Sequence, residues 1–130
     1  MKPKIKELTK AEEQIMQILW SLEKGYIKEI VEQFPAPKPA YNTVSTFVRI
    51  LVKKGFIGYT SMGNTHQYFP LVSKQEYTKT YLTHFVGNYF NHSYKKLVSF
   101  FTNEEQLSIQ ELEEMKNYID QEIKRQKQHD

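Results

Sequence analysis

The hydrophobic period of this chain changes at one glycine, and that change limits most of what the chain can become. Before Gly55 the apolar residues recur every three or four positions. After it, Phe56–Thr60 and His66–Phe69 alternate with polar ones. The first spacing is that of a helix with one buried face, the second that of a half-buried strand. Upstream, Ala11, Ile15, Ile18, Leu19 and Leu22 make one stripe behind Thr9 and Glu12, which have capping-box spacing. Gly25 is placed to stop that helix. A short second helix turns Ile27, Ile30, Val31 and Phe34 inward, and Pro35, Pro37 and Pro39 end it, because alternate prolines cannot continue a helix. A third runs from near Ala40 to Lys54 with Val44, Phe47, Val48 and Leu51 facing in. The two strands flank a turn over Ser61–Thr65, and Pro70 closes the hairpin. Three helices followed by a hairpin form a winged helix-turn-helix.

The second half keeps a helical period throughout. Ser73 and Glu76 have capping-box spacing ahead of Tyr77, Tyr81, Phe85 and Tyr89, a stripe widened by Leu82, Val86 and Phe90. A shorter segment carries Tyr94, Leu97, Val98 and Phe101. Ser108 and Glu111 open a last helix bearing Leu112, Met115, Ile119 and Ile123. The tail from Lys124 has no apolar pattern and is expected to fray. These stripes are too few to bury one another in so short a piece of chain. Closed two-fold dimers are the commonest remedy among soluble proteins. The expected interface is Tyr81, Phe85, Tyr89, Leu97, Phe101, Leu112, Met115 and Ile119, with His84 and His92 as interfacial histidines. The fold class is therefore mainly α, with a winged-helix domain over 1–71 and a helical dimerisation domain over 72–130.

Charge says what the first domain meets. Residues 1–70 carry ten Lys or Arg against six Asp or Glu, and 71–130 carry eight against nine, which gives the net +3. No acidic residue stands between Glu32 and Glu76, while Lys38, Arg49, Lys53, Lys54 and Lys74 fall inside that window. A surface so composed can approach a polyanion without repulsion. The third helix suits a major groove. Asn42 can pair with adenine, Arg49 with guanine, and Ser45 and Thr46 are short enough for close approach. Lys38, Lys53 and Lys54 are expected on phosphates, as are Asn64, Thr65 and His66 of the hairpin tip, the wing. A winged-helix protein-interaction module is disfavoured, since it has no reason to exclude carboxylates. A small-molecule-sensing regulator, with Tyr81, Phe85, Tyr89 and Phe90 around a ligand, is the other alternative.

Other chemistry finds little support. The chain has no cysteine, which removes disulfides, thiolate metal sites and cysteine nucleophiles. His66, His84, His92 and His129 have no metal-ligand spacing, and no serine sits in a GxSxG turn. Glu104, Glu105, Glu111, Glu113 and Glu114 read as the solvated start of a helix. No enzyme activity, cofactor or metal is expected. The charged N-terminus and the lack of an apolar run of membrane-spanning length point to a cytoplasmic protein without membrane insertion.

The segments Leu8-Thr9-Lys10-Ala11-Glu12, Ile18-Leu19-Trp20, Tyr41-Asn42-Thr43-Val44-Ser45-Thr46 and Leu51-Val52-Lys53-Lys54-Gly55-Phe56-Ile57 resemble the penicillinase-repressor family. The likeness continues through Tyr68-Phe69-Pro70-Leu71 and, more loosely, through Leu97-Val98 and Leu112-Glu113-Glu114-Met115. It implies a homodimeric transcriptional repressor on a two-fold symmetric operator in double-stranded DNA. It also implies that Asn42, Thr43, Ser45 and Thr46 are base-facing, and it adds a membrane sensor metallopeptidase as a partner to be sought. The copper-responsive branch has a cysteine-rich site that this chain lacks. The β-lactam-responsive branch is cut at an Asn-Phe bond whose aligned positions here are Phe100-Phe101. Cleavage, where it serves as the off-switch, is expected in an extended connection over Ser99 to Asn103.

Overall fold

The computed structural model describes residues 5–104 and 106–129. The order is α1 (Lys10–Leu22), α2 (Ile27–Glu32), α3 (Tyr41–Lys53), β1 (Ile57–Met62), β2 (Thr65–Pro70), α4 (Lys74–Phe90), α5 (Tyr94–Glu104) and α6 (Ile109–Gln128). It falls into two compact units that divide between His84 and Phe85. The first is the expected winged helix, three helices and then an antiparallel two-stranded hairpin.

The core of this unit is built from the stripes read above. Ile15, Met16 and Leu19 of α1, Ile27 and Ile30 of α2, and Val44, Val48 and Leu51 of α3 are buried together with Phe56, Ile57 and Tyr68. Full burial of each large aliphatic side chain contributes about 1.5–3 kcal/mol, so α3 is held by its inner stripe while its outer face stays free. Tyr77 of α4 closes the same core. Its hydroxyl accepts from the Leu8 N–H at 2.9 Å, its ring lies 6.1 Å from Trp20, and burial pushes its hydroxyl pKa up. The Trp20 indole N–H donates to the Val72 carbonyl at 2.8 Å.

Two local devices orient the hairpin on the helices. At the end of α3, Phe56 N–H donates to the Leu51 carbonyl and Gly55 N–H to that of Val52, while Gly55 has φ +85°. This is the Schellman pattern, and it needs glycine at the left-handed position. The other device lies between α1 and α2. The first helix ends at Leu22, with Glu23 rather than Gly25 as the left-handed cap residue, and Gly25 instead exchanges two backbone hydrogen bonds with Tyr68 of β2. The hairpin is longer than its alternation suggests. Ser61 pairs with His66 and Met62 with Thr65, so the turn shrinks to Gly63 and Asn64, with φ +65° at Gly63.

Thr9 and Glu12 form the expected capping box, but Glu12 does more than cap. It is 3% exposed, and its two carboxylate oxygens accept from Lys54 Nζ at 2.8 and 2.7 Å while one also accepts from the Thr9 N–H at 2.9 Å. Burial alone would raise its pKa. The hydrogen bonds from Lys54 and Thr9, with the ammonium charge, outweigh that and hold it below the ordinary 4.5.

The unit from Phe85 onward is different in kind. Among its described residues Val86 is the one buried hydrophobic side chain. Phe85, Phe90 and Phe100 touch ring to ring at 5.7 and 5.5 Å. The turn after α4 passes through Asn91 and His92 at positive φ, where His92 lies so close to Gly87 that a Cβ there would fall 2.7 Å from the imidazole. The stretch Ser99–Asn103, expected as an extended connection, is helical within α5. The stripe Tyr94, Leu97, Val98 and Phe101 runs straight through it, and the Thr102 hydroxyl donates back to the Val98 carbonyl. Glu104 accordingly ends α5 rather than starting the next helix. Glu105 lies outside the described residues.

Replacing Lys54 by Met leaves Glu12 buried without its counter-charge. Because Lys54 is itself part-exposed, the expected loss is about 2 kcal/mol, below the 3–5 of a fully buried pair, and adding Glu12→Gln should restore part of it. Urea unfolding of the three proteins measures both. Glu12 has a depressed folded-state pKa, so its share of stability is complete above about pH 4.5 and vanishes as pH falls through the lower folded value. The difference between wild type and Glu12→Gln should therefore shrink in acid. A difference that stays constant down to the acid limit would contradict the pair's role.

Candidate nucleic-acid interface

With Val44, Val48 and Leu51 turned into the core, a rotation of about 100° per residue sets Asn42, Thr46, Arg49 and Lys53 along the opposite side of α3. All four are exposed, as is Thr43, while Ser45 is half-buried on the flank nearest the hairpin. The face has its own internal bonds. The Thr46 hydroxyl donates to the Asn42 carbonyl at 2.9 Å, which leaves its methyl and its oxygen lone pairs for contact. Arg49 Nε reaches the Ser45 carbonyl at 3.5 Å, the outer limit of a hydrogen bond.

The hairpin stands beside this helix. Asn64, Thr65 and His66 are exposed at its tip. The His66 ring stacks on Tyr59 at 4.3 Å and 9°, and both rings flank Tyr68. Between helix and hairpin lies an open cleft of about 430 Å³ lined by Ser45, Arg49, Val52, Tyr59, His66 and Tyr68. A smaller one, about 180 Å³, adjoins it and adds Ile27, Tyr41, Asn64 and Thr65. Neither has an acidic residue in its lining. Burial raises the Tyr68 hydroxyl pKa, Tyr41 and Tyr59 add to that, and the Arg49 charge opposes it.

The lysines part company. Lys53 is exposed and forms no ion pair among the described residues. Lys38 is exposed but donates to the Glu32 carbonyl at 2.9 Å, at the last turn of α2. Lys54 is held by Glu12. Tyr41 and Tyr59 were not singled out by sequence reasoning, yet they are 53% and 48% exposed on this surface. A tyrosine at the first turn of α3 and another on the outer phase of β1 were the available signals.

The expected interface residues of the second half are all partly or well exposed in the single chain, from half-buried Phe85, Leu97, Phe101 and Met115 to Tyr89 at 74%. Phe101, Leu112, Met115 and Ile119, with Val98, line an apolar groove of about 270 Å³ between α5 and α6. Tyr81 lies apart from them in the first unit, beside Leu8 and Gln17. Among the described residues no cluster of His, Asp or Glu could hold a metal ion, and no helix is long and apolar enough to cross a membrane.

Comparison with known proteins matches residues 8–121 to the family described as Penicillinase repressor. The chain is 28% identical over 120 residues to the methicillin resistance regulatory protein MecI of Staphylococcus aureus (strain N315), covering 92% of this chain and 98% of that one. The protein of the same name from Mammaliicoccus sciuri gives the same identity and coverage. The penicillinase repressor of Bacillus licheniformis is 22% identical over 126 residues, 96% of this chain and 98% of its own.

Proposed function

Since the chain belongs to the penicillinase repressor family, we propose that it represses transcription as a homodimer on a two-fold symmetric site in duplex DNA. The observation that carries this reading is that neither the outer face of α3 nor the hairpin tip bears an acidic residue, while Glu29 of α2 lines a cleft beside Tyr41 and Thr65. Duplex DNA offers one charge per about 1.7 Å of axis, and a helix that enters its groove must present no carboxylate to it. Asn42, Thr43, Ser45 and Thr46 are the base-facing residues. Lys38, Lys53, Asn64, Thr65 and His66 position the backbone. Lys54 has a positioning part, since Glu12 holds its ammonium.

Residues 1–71 supply the DNA-binding domain and 72–130 the dimerisation domain. Support for the second comes from what the chain leaves uncovered. Tyr89, Ile109 and Tyr118 are each more than 70% exposed, and Val98, Phe100, Ile119 and Ile123 about half. A soluble monomer seldom leaves so many large apolar side chains uncovered on so short a piece of chain, and an identical chain brings the matching stripes. Linking two half-site modules raises effective affinity by about 10²–10⁴ without new contacts.

Three measurements test the reading. Binding to a selected palindromic duplex should weaken steeply with salt, at about −0.9 in log–log slope per phosphate neutralised, and a flat dependence would refute it. Asn42→Ala or Thr46→Val should relax the preference at one base pair by about 1–3 kcal/mol, whereas Lys53→Ala should weaken every duplex alike. Leu112→Asp with Ile119→Asp should turn a dimer into a monomer by sedimentation and lose most of the palindrome's advantage over a half-site. Dimers that survive both charges would sink the interface assignment.

A further inference from the structure

The cleft between α3 and the hairpin is not accounted for by a helix that simply reads bases. Arg49 is one of its walls, with Ser45 and Val52 on the same helix and Tyr59, His66 and Tyr68 opposite. An arginine that reads a guanine extends alone from the outer line of the helix into the groove. This one lines the cleft that faces the hairpin, its Nε within 3.5 Å of the Ser45 carbonyl and its charge felt at the Tyr68 hydroxyl.

We propose that this cleft seats one backbone phosphate of the bound duplex, with Arg49 as its principal donor, so that Arg49 sets register and contributes no base preference. The inference rests on the repressor reading and deepens it. The chemistry of the lining selects the ligand. Arg49, Ser45 and His66 bring donor groups from helix and wing, Tyr59 and Tyr68 complete the lining, and no carboxylate competes for the guanidinium among the described residues. A guanidinium matches the geometry of phosphate oxygens through its paired N–H groups. The space, about 430 Å³ and open to one side, is too large and too exposed to grip a free anion. It suits a phosphate that arrives attached to a rigid strand already held by the helix and the wing tip. The stacked pair of Tyr59 and His66 keeps the far wall in place before DNA arrives.

The test titrates the full chain onto a duplex selected from a random pool, across a range of salt. Arg49→Gln should bind about tenfold more weakly, by the same factor on the selected duplex and on its single-base variants. Its log–log salt slope should be shallower by about 0.9 per protomer. Arg49→Lys, which keeps the charge, should retain the wild-type slope. A neutral methylphosphonate stepped along the duplex should weaken the wild type at one position in each half-site and leave Arg49→Gln indifferent there. An unchanged slope with preference lost at one base pair would make Arg49 a base reader and overturn the inference, leaving the repressor reading intact. Micromolar binding of inorganic phosphate alone, lost in Arg49→Gln, would assign the cleft to a free anion and also overturn it. A wild-type chain with no salt-dependent duplex binding would overturn the repressor reading and the inference together.

Discussion

One buried carboxylate joins the beginning of α1 to the end of α3. Glu12 caps the first helix through the Thr9 N–H and holds the Lys54 ammonium at the C-cap of the third. Apolar packing alone leaves two helices some freedom to slide and roll, because ridges and grooves repeat along an axis. A charge-assisted contact with two short hydrogen bonds has one geometry. It fixes how far α3 reaches and which residues it turns outward, and the Schellman turn at Gly55 passes that setting to the hairpin. The acid-free face is coherent because these constraints share one end of one helix.

Much of this was legible in the sequence. Helical stripes and the switch to alternation gave the three helices, the hairpin and the helical second half, because burial imposes its period on the residues that undergo it. The capping boxes at Thr9, Ser73 and Ser108 were readable for the same reason, since a cap is a contact between residues three apart. Glu12 was readable as a cap and unreadable as the partner of Lys54. Forty-two residues separate them, and no local spacing encodes a contact of that range. Gly25 failed in the same way. It has the composition of a helix stop, but its use is a backbone pairing with Tyr68. The misplaced connection at Ser99–Asn103 has another cause. The connection was placed there because it precedes the acidic run that was read as the start of the next helix, whereas the stripe Tyr94, Leu97, Val98 and Phe101 carries α5 through it to Glu104. The candidate site residues on α3 were accessible as a face, but the cleft that Arg49 shares with Tyr59, His66 and Tyr68 needs strands that pair across β1 and β2.

The second unit shows how helical period and self-sufficiency differ. Its helices form without a shared interior, as their cap residues and regular spacing allow. In an isolated chain most helical stability comes from packing an apolar face. The aromatic cluster of Phe85, Phe90 and Phe100 supplies part of that packing, and the groove between α5 and α6 remains to be filled. In the proposed dimer, an interface built on such helices would couple association to local order, so loosening α5 would also weaken the association.

The Gly25–Tyr68 pairing gives the hairpin the mechanics of a cantilever. The beam is clamped at its root, where Tyr68 exchanges both of its backbone hydrogen bonds with Gly25 and Phe56 is locked to the helix end, and it projects as two strands to the Gly63-Asn64 tip. Deflection under a given load grows steeply with distance from a clamp. The root therefore stays stiff beside α3 while the tip can ride outward or inward by small amounts. On the proposed DNA-binding reading, grooves of slightly different width would then be met by the same protein, with the compliance confined to the tip of the hairpin.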